Sequence, residues 1–511
     1  MTSINHLKTS VIATILLFGS LQVAAQTESN NLYESKKYLL EYLNDNNTLQ
    51  RFGRISDAIW NYAELGMQEF KSSALLIQTL EEEGFTIEKN VAGIPTCFVA
   101  TWGSGGPVIG ILGEYDALPM ISQMPLTPFQ KPLVEGAPGH GCGHNMMGTA
   151  GIAAMIALKN TMEAFKIPGT IKFFGSPAEE TIISRPYMVR AGVFNGVDAV
   201  IDNHASSNFS TGYGVNGTAV MSVLFTFKGK TAHAAGAPWS GRSALDGVEI
   251  MNVATNYLRE HLHYTHRLHY VVTEGGEAPN VVPDKATVWY YIRNTDERLE
   301  AMYERVVDCA KGAALASGTT LDTVQVLTAT HQRHSNKRLA EAIQKNIELI
   351  GMPEWSENEH RFAKELQKDL GVKEEGFSTE ISELSPPPQI QVGGGSSDVG
   401  EVTLVAPTTS INFPGIVPGA ISHHWSTVTS TFGSAAWKGL NAGAKAISAS
   451  ALDLLTSPNL LEEVRKEFDD YLKEHPFRSF LPLEAQPPLE MNKSLMDKYR
   501  DAMISMQVIE D

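Results

Sequence analysis

The sequence of 511 residues is poor in cysteine, in positive charge and in long apolar runs. Its three cysteines, Cys97, Cys142 and Cys309, cannot form the disulfide framework that stabilises small secreted domains. If the protein is exported, the odd number leaves at least one thiol free. Only Cys142 is flanked by glycines and histidines, so it is the thiol to which we assign a chemical role.

Positive charge is scarce, with 40 Lys and Arg against 57 Asp and Glu and a formal net charge of -17. A surface with this balance repels polyanions, so we expect no nucleic-acid partner.

The one long apolar run covers residues 11–21. Lys8 precedes it, and a Val-Ala-Ala cleavage site ends at residue 25. This pattern predicts a signal peptide over residues 1–25 and an exported protein, periplasmic or secreted, with no membrane contact after cleavage. A retained membrane anchor is the alternative, although the run is short for a span.

Repeats and low-complexity tracts are also absent, and the length exceeds one ordinary core, so we expect at least two domains. Short β-branched and apolar runs alternate with helical patterns, which predicts a doubly wound, mostly parallel α/β domain in two parts, residues 26–215 and 331–511. The predicted strands of the first part are residues 96–101, 108–112, 171–174 and 199–201, and its predicted helices are residues 49–84 and 152–158.

Between these parts, residues 216–330 change pattern and predict a small α+β insertion. Its predicted elements are a half-exposed strand at residues 220–228, a helix at 243–261, a strand at 287–293 and a helix at 297–316. After the insertion we expect a helix over residues 337–350, and the composition of residues 386–395 predicts a loop.

Residues 139–145 read Gly-His-Gly-Cys-Gly-His-Asn and are the most informative stretch of the chain. A thiolate at Cys142 and an imidazole at His144 are good ligands for borderline divalent metals, and the glycines allow a tight turn around an ion. An isolated buried cysteine would more often be inert. The spacing to His144 favours a metal site instead.

Further candidates follow the predicted strands: Glu114 and Asp116, then the pair Glu179 and Glu180, then His204. Ligands collect at the carboxyl ends of strands in an open parallel sheet, so we expect these groups in one crevice with Cys142. In the acidic pair, one carboxylate can bind metal while its neighbour accepts a proton from water. The alternatives are an ordinary acidic helix surface and, for His204, a hydrogen-bonded core histidine.

With these motifs in place, the chain resembles the dinuclear metallopeptidase family of aminoacylase, glutamate carboxypeptidase and the indole-acetyl-amino-acid hydrolases. Within the family it is most similar to the subfamily typified by p-aminobenzoyl-glutamate hydrolase, from about residue 50 to 450. The usual residue after the second histidine of this motif in that subfamily is Asp. This chain has Asn145 instead, and the p-aminobenzoyl-glutamate branch of the subfamily shares the asparagine.

The resemblance implies a role for each candidate. It implies two divalent ions per subunit, Mn or Zn with Co and Ni left open, and Glu179 as general base. Asp116, in an Asp-Ala-Leu-Pro motif, would orient a ligand. The implied metal ligands are Cys142 as bridge, His144, Glu180, His204 and His423, with His424 as the alternative to His423.

The insertion resembles the family's lid, which carries the dimer interface, so a homodimer is implied. His233, in a Gly-Lys-Thr-Ala-His-Ala motif, would stabilise the oxyanion of the tetrahedral intermediate, in several members from the partner subunit. Asn280 and Arg293 fall where related enzymes hold polar or carboxylate groups of the substrate. For Arg293 a surface salt bridge is the alternative.

Together these features predict a metal-dependent amide hydrolase that cleaves N-acyl or N-aroyl amino acids, such as p-aminobenzoyl-glutamate, with an activated water. A dipeptidase or N-deacetylase on the same scaffold is one alternative. An inactive relative that binds metal or peptide without turnover is another, although a complete set of ligands and base speaks against it.

Overall fold

The structure is a computed structural model that describes residues 31–384, 386–387 and 394–507. The signal peptide predicted for residues 1–25, and part of the loop predicted for 386–395, lie outside the described residues. None of the helices in these described ranges combines the length and apolar content needed to cross a bilayer.

The described chain alternates helices and strands through most of its length. The helices are α1 (residues 31–44), α2 (Asn46–Tyr62), α3 (Phe70–Glu82), α4 (His144–Phe165), α5 (Ser184–Arg190), α6 (Ala244–Leu258), α7 (Asp296–Ser317), α8 (Lys337–Ile350), α9 (Glu357–Asp369), α10 (Val399–Val402), α11 (Trp425–Ser430), α12 (Ser434–Thr456), α13 (Pro458–Glu474) and α14 (Lys493–Ser505). The strands are β1 (Thr86–Lys89), β2 (Phe98–Ser104), β3 (Val108–Gly113), β4 (Gly169–Gly175), β5 (Ala199–Ala205), β6 (Ser210–Thr211), β7 (Gly214–Asn216), β8 (Ala219–Lys228), β9 (Arg267–Glu274), β10 (Lys285–Asn294), β11 (Thr320–Thr330), β12 (Arg333–Ser335) and β13 (Thr408–Phe413).

The larger sheet has the strand order β1-β2-β4-β3-β5-β13-β6. Its four central strands, β4, β3, β5 and β13, are parallel, and the outer strands pair antiparallel. Side chains on both faces are buried: Ile111 packs with α4 and α12, whereas Leu112 packs with α5 and α10. Helices therefore cover both faces of a mostly parallel sheet, which confirms the predicted doubly wound α/β class.

The second sheet is antiparallel, in the order β11-β8-β10-β9, and we call it the lid sheet. Helices α6 and α7 cover one of its faces around Phe225, Val288 and Tyr290. The expected α+β insertion is therefore present, but with two strands, β9 and β11, that the sequence patterns did not reveal. These two strands flank the sheet, and β8 lies inside it between β11 and β10, with most of its residues buried. The prediction of a half-exposed β8 was therefore wrong.

The helix predicted over residues 49–84 is broken into α2 and α3 by residues 63–69. Helix α2 ends because Ala63 adopts a left-handed conformation with φ 37°, and Met67 is also left-handed with φ 70°. We call residues 63–69 the brace loop, since it contacts the candidate site described below.

Candidate metal centre

The carboxyl ends of the central strands bring the predicted groups together. Glu114 and Asp116 follow β3, Glu179 and Glu180 follow β4, and His204 lies at the end of β5. Because these strands are parallel neighbours, their ends meet at one edge of the sheet, where ligand sites form in such folds.

Cys142 and His144 reach the same edge from the start of α4. Gly143 precedes this helix in a left-handed conformation with φ 84°, and a Cβ atom there would lie only 2.7 Å from Ala205 Cβ. Only glycine suits this position, because it tolerates positive φ and leaves room for β5. The turn thus places the thiol of Cys142 and the imidazole of His144 on either side of Gly143, facing the strand ends.

The side-chain atoms form two groups that share the sulfur of Cys142. In each group the ligand atoms lie within 4.8 Å of one another, as a single ion requires. Sγ of Cys142 is 3.3 Å from Nε2 of His204, and Nε2 of His423 is 3.2 Å from Oε2 of Glu180. The two groups are Cys142, His144 and His204, and Cys142, Glu180 and His423.

The structure separates His423 from His424. His423 faces Glu180, and its backbone N–H donates to Gly141 O in the cysteine turn at 2.9 Å. The residue adopts φ 58°, an uncommon conformation for a non-glycine residue that is often found at functional sites. His424 instead caps α11 by accepting the backbone N–H of Ser426. Its ring is therefore engaged away from the shared sulfur.

The donor set suits divalent cations. Nε2 of His144, Oε1 of Glu180 and Oε2 of Glu114 are buried and make no hydrogen bond among the described residues, although the first and the last lie 3.3 Å apart. Buried polar atoms are normally paired, so unpaired atoms that converge on one space indicate a missing partner. Thiolate, imidazole and carboxylate are together the ligands of zinc and of neighbouring divalent metals.

The pKa values of the site residues show that burial and neighbouring charges oppose the protonation states that metal ligation requires. Burial and the nearby Glu180 raise the pKa of the Cys142 thiol to about 12. Burial also raises the pKa of Glu180 to about 8, an effect that His144 opposes and Glu179 reinforces. For His144, burial acts to lower the pKa, but Asp116 and Glu114 raise it well above its ordinary value. A bound cation would favour the thiolate and both carboxylates.

Asp116 connects the cysteine turn with the acidic pair. One carboxylate oxygen accepts from Nδ1 of His144 at 2.9 Å, and the other accepts the backbone N–H of Glu180 at 2.9 Å. In the neutral ring that a metal ligand requires, Nδ1 carries the proton donated to Asp116, and Nε2 of His144 presents its lone pair to the site.

Glu179 is buried, and its Oε2 lies 3.9 Å from Nε2 of His144. It belongs to neither of the groups that share Cys142, but to a third cluster with Glu114 and His144. Its carboxylate therefore borders the metal centre without contacting the shared sulfur.

A buried ionic network behind the site was missed by the sequence analysis. Arg185 is fully buried and pairs with Glu114 at 2.8 Å and with Asp398. Glu114 in turn lies 3.3 Å from Nε2 of His144. Glu114 was expected in the crevice from its place after β3, but nothing in the sequence distinguishes Arg185 from a surface arginine.

A cavity of about 300 Å³ opens beside Glu180, between the lid sheet and the strand ends. Its lid side presents Trp289 and Tyr291, and the indole N–H of Trp289 donates to Ser222 at 2.8 Å. The lining residues are Leu65, Gly66, Ala117, Leu118, Pro119, Glu180, Thr181, His269, Tyr270, Val271, Trp289, Tyr291 and Asn492. This largely apolar space can hold part of a small organic molecule.

Arg293 continues the same lid face beyond Tyr291. Its guanidinium lies over the Tyr291 ring, 5.2 Å from the centroid, and donates to Ser396 at 3.0 Å. Burial lowers its pKa, and its Nε has no hydrogen-bonding partner among the described residues. The arginine is thus half-buried beside the cavity, with a donor left for an acceptor such as a carboxylate.

His233 and Asn280 lie together at the tip of the lid, and both are exposed. Nδ1 of His233 accepts the backbone N–H groups of Ala235 and Gly236, and the backbone carbonyl of Asn280 accepts the N–H of Ala234. A neutral His233 therefore carries its proton on Nε2 and offers it outward. Within the described chain, neither residue belongs to a metal-candidate cluster or lines the cavity beside Glu180.

Comparison with known proteins agrees with this geometry. A model of the peptidase family M20/M25/M40 matches residues 110–427, which include both ligand groups. The chain belongs to the M20 peptidase family. As an M20 peptidase it is a hydrolase that acts on carbon–nitrogen bonds.

Relatives of known activity match along most of the chain. One of the subunits of p-aminobenzoyl-glutamate hydrolase from Escherichia coli is 35% identical over 463 residues, covering 86% of this chain and 96% of the relative. The Xaa-Arg dipeptidase of Mus musculus is 30% identical over 439 residues, covering 83% and 90%.

Solved structures share the fold. The aminobenzoyl-glutamate utilization protein of Klebsiella pneumoniae matches with a TM-score of 0.55 at 16% identity, covering 80% of this chain and 97% of that one. The YxeP protein of Bacillus subtilis, named as a dinuclear metal-binding peptidase, matches with a TM-score of 0.51 at 21% identity, covering 81% and 99%. Together with the strand order described above, these two structural matches show that the chain has the M20 fold.

Proposed function

We propose that this M20 hydrolase is a dinuclear metal enzyme that cleaves the amide bond of N-acyl or N-aroyl amino acids, with p-aminobenzoyl-glutamate as the model substrate. The observation that carries the proposal is the sharing of Cys142 between two ligand groups, with the Glu179 carboxylate beside them. A thiolate that belongs to both groups can bridge two ions.

In this proposal Cys142, His144 and His204 would hold one ion, and Cys142, Glu180 and His423 would hold the other. Manganese and zinc fit this mixture of sulfur, nitrogen and oxygen ligands, as do cobalt and nickel. When bound, two such ions polarise an amide carbonyl and lower the pKa of water.

Glu179 is the general base of the proposed reaction. Its carboxylate lies beside the ligand groups without contacting the sulfur, so it is free to take the proton of the attacking water and to return it to the leaving amine nitrogen. Asp116 fixes the ring of His144 and the backbone of Glu180, which keeps the ligand atoms in place during the cycle.

The cavity and the lid supply the proposed substrate contacts. The apolar space beside Glu180 accepts the acyl or aroyl group, and Arg293, with its unpaired Nε, is the candidate for the substrate carboxylate. Asn280 and His233 lie at the exposed lid tip, and we assign them to substrate and oxyanion contacts made in a homodimer, with His233 reaching the partner's site.

Dipeptide cleavage is the second candidate function. The identity with Xaa-Arg dipeptidase supports it, since that relative also covers most of the chain. N-deacetylation would use the same metal centre. We also propose that the protein works outside the cytoplasm, on the strength of the signal-peptide pattern in residues 1–25.

One experiment distinguishes these functions. Metal-depleted protein is titrated with Mn²⁺, Zn²⁺, Co²⁺ or Ni²⁺, and each form is assayed on p-aminobenzoyl-glutamate, an N-acetyl amino acid and an Xaa-Arg dipeptide. We expect two ions per chain and the highest kcat/KM on the aroyl substrate. A preference for the dipeptide would establish the second candidate, and metal binding without any turnover would establish an inactive relative.

A further inference from the structure

The segment that carries Glu179 and Glu180 has an unusual backbone. Ala178 has φ 56° and Ile182 has φ 62°, so two residues with a Cβ atom lie in the left-handed region within five positions. Such conformations are unfavourable for these residues and persist only where the surroundings hold them. The contacts that hold this turn therefore determine where the two carboxylates point.

The brace loop contacts this turn through Glu69. This side chain is fully buried, and its Oε1 accepts the backbone N–H of Ala178 at 2.7 Å. Its Oε2 accepts the hydroxyl of Thr96 at 3.0 Å. One carboxylate thus anchors the residue immediately before Glu179.

Gly66 of the brace loop packs against the same residue. A Cβ atom on Gly66 would lie 3.0 Å from both Cα and Cβ of Ala178 and 3.3 Å from the hydroxyl of Thr181. The loop therefore touches the acidic turn closely through its backbone as well as through Glu69.

The C-terminal segment fixes the brace loop in turn. Asn492 donates to Gly66 O at 3.0 Å, and Gln68 donates to the carbonyls of Leu489 and Met491 at 3.1 and 3.0 Å. The loop also reaches the other acidic strand end, since the backbone N–H of Ala117 donates to the carbonyl of Glu64 at 2.8 Å. The brace loop is thus anchored on one side and contacts both acidic strand ends on the other.

We propose that Glu69 is a positioning residue. It fixes the turn at Ala178 so that Glu180 faces the ligand groups and Glu179 faces the attacking water. The proposal rests on the function proposed above for these two carboxylates. Glu69 itself contacts no predicted metal ligand side chain and acts only through the backbone of Ala178.

The test compares Glu69→Ala with Glu69→Gln, because the amide oxygen of glutamine can still accept the Ala178 N–H. For Glu69→Ala we expect kcat to fall between about tenfold and a hundredfold at nearly unchanged KM, as for a small displacement of a catalytic group. Hydrogen exchange of residues 176–183 should become faster. Glu69→Gln should restore most of kcat and of the exchange protection.

Glu359→Ala is the matched control, since Glu359 is another buried carboxylate, which caps α9 and binds Ser434 and Lys438. It should lower the melting temperature without lowering kcat or speeding exchange at 176–183. If Glu69→Ala fails to fold, Thr96→Val removes one support of the carboxylate and should reduce kcat more modestly. A Glu69→Ala enzyme with wild-type kcat and exchange would overturn the proposal. Absence of turnover in the wild type would instead contradict the proposed function, while the exchange comparison would still test the positioning.

Discussion

Asp116 and His144 form a buried pair in which the carboxylate accepts from Nδ1 at 2.9 Å, leaving Nε2 directed at the metal centre. The second oxygen of Asp116 accepts the N–H of Glu180. Asparagine has one acceptor oxygen where Asp116 uses two, so Asp116→Asn must leave one of these donors unpaired. We expect the affinity for at least one ion to fall about 10–100-fold.

Competition with a chromogenic chelator measures this loss. Asp453→Asn is the control, because Asp453, near the C-terminal end of α12, pairs with Lys36 and with none of the candidate ligands. Equal metal affinity in Asp116→Asn and wild type would show that Asp116 does not orient His144.

The roles of the acidic pair are distinguished by Glu179→Gln. Because Glu179 lies outside the two groups that share Cys142, this variant should keep two ions per chain. Its turnover should fall on the order of a hundredfold to ten-thousandfold, as expected when a general base is removed. Metal analysis and steady-state kinetics check both statements. If Glu179→Gln loses metal and Glu180→Gln does not, the two roles must be exchanged.

Cys142→Ser tests the shared sulfur. A serine hydroxyl is far harder to deprotonate than a thiol, so both binding events should weaken strongly. In a Cys309→Ser background, where Cys97 is the only other thiol and is fully buried, a thiol reagent reports on Cys142. The metal-depleted protein should react faster than the metal-loaded protein. Equal reaction rates of the two forms would show that Cys142 is not a metal ligand.

The placement of several candidate residues at one edge of the sheet could be predicted from the sequence because it depends on local patterns. Parallel strands end at one edge, so Asp116 and His204 could be placed in one crevice without knowing any distance. The glycines around Cys142 signalled a tight turn. These inferences need only the chain direction and the conformational freedom of glycine.

The brace loop and the buried ionic network could not be predicted in this way. Ala63 and Met67 adopt left-handed conformations that their residue types do not signal, and the break they cause is stabilised by a segment more than 400 positions further along the chain. Arg185 contacts Asp398, which lies 213 positions further along the chain. Without knowledge of that contact, Arg185 is indistinguishable from a surface arginine. Both features depend on long-range contacts that a single sequence does not encode in a readable pattern.

The pair of His331 and Glu401 at the return from the lid should make stability depend on pH. Burial acts to lower the pKa of His331, but the hydrogen bond from Nδ1 to Glu401, 2.7 Å long, raises it above its ordinary value. A folded pKa above the unfolded one gives stabilisation that is complete below pH about 6.5 and is lost as the pH rises through the folded value.

His331→Gln should therefore lower the free energy of unfolding by about 1.5–3 kcal/mol near pH 6 and by less near pH 9. Denaturant titrations of both proteins at the two pH values give this difference. His334→Gln is the control, since burial lowers the pKa of His334 to about 4 and its ring stays neutral in this range. A pH-independent difference for His331→Gln would show that folding leaves the pKa of His331 unchanged, so that Glu401 does not raise it.

His233 should complete the site of a partner subunit. Its Nε2–H points out from the exposed lid tip, while its Nδ1 is occupied by two backbone N–H groups of its own loop. Contribution across a dimer predicts that two inactive variants rescue each other. Subunits with His233→Ala, mixed with subunits that carry Glu179→Gln, form heterodimers in which one site has both groups intact. We expect up to about a quarter of wild-type activity after random exchange, since half of the dimers then hold one complete site out of two. Native mass spectrometry of the mixture measures the exchange independently of activity, because the two variant subunits differ in mass. An active protein that sediments as a monomer, or a mixture with no recovered activity despite demonstrated exchange, would show that His233 acts only within its own chain.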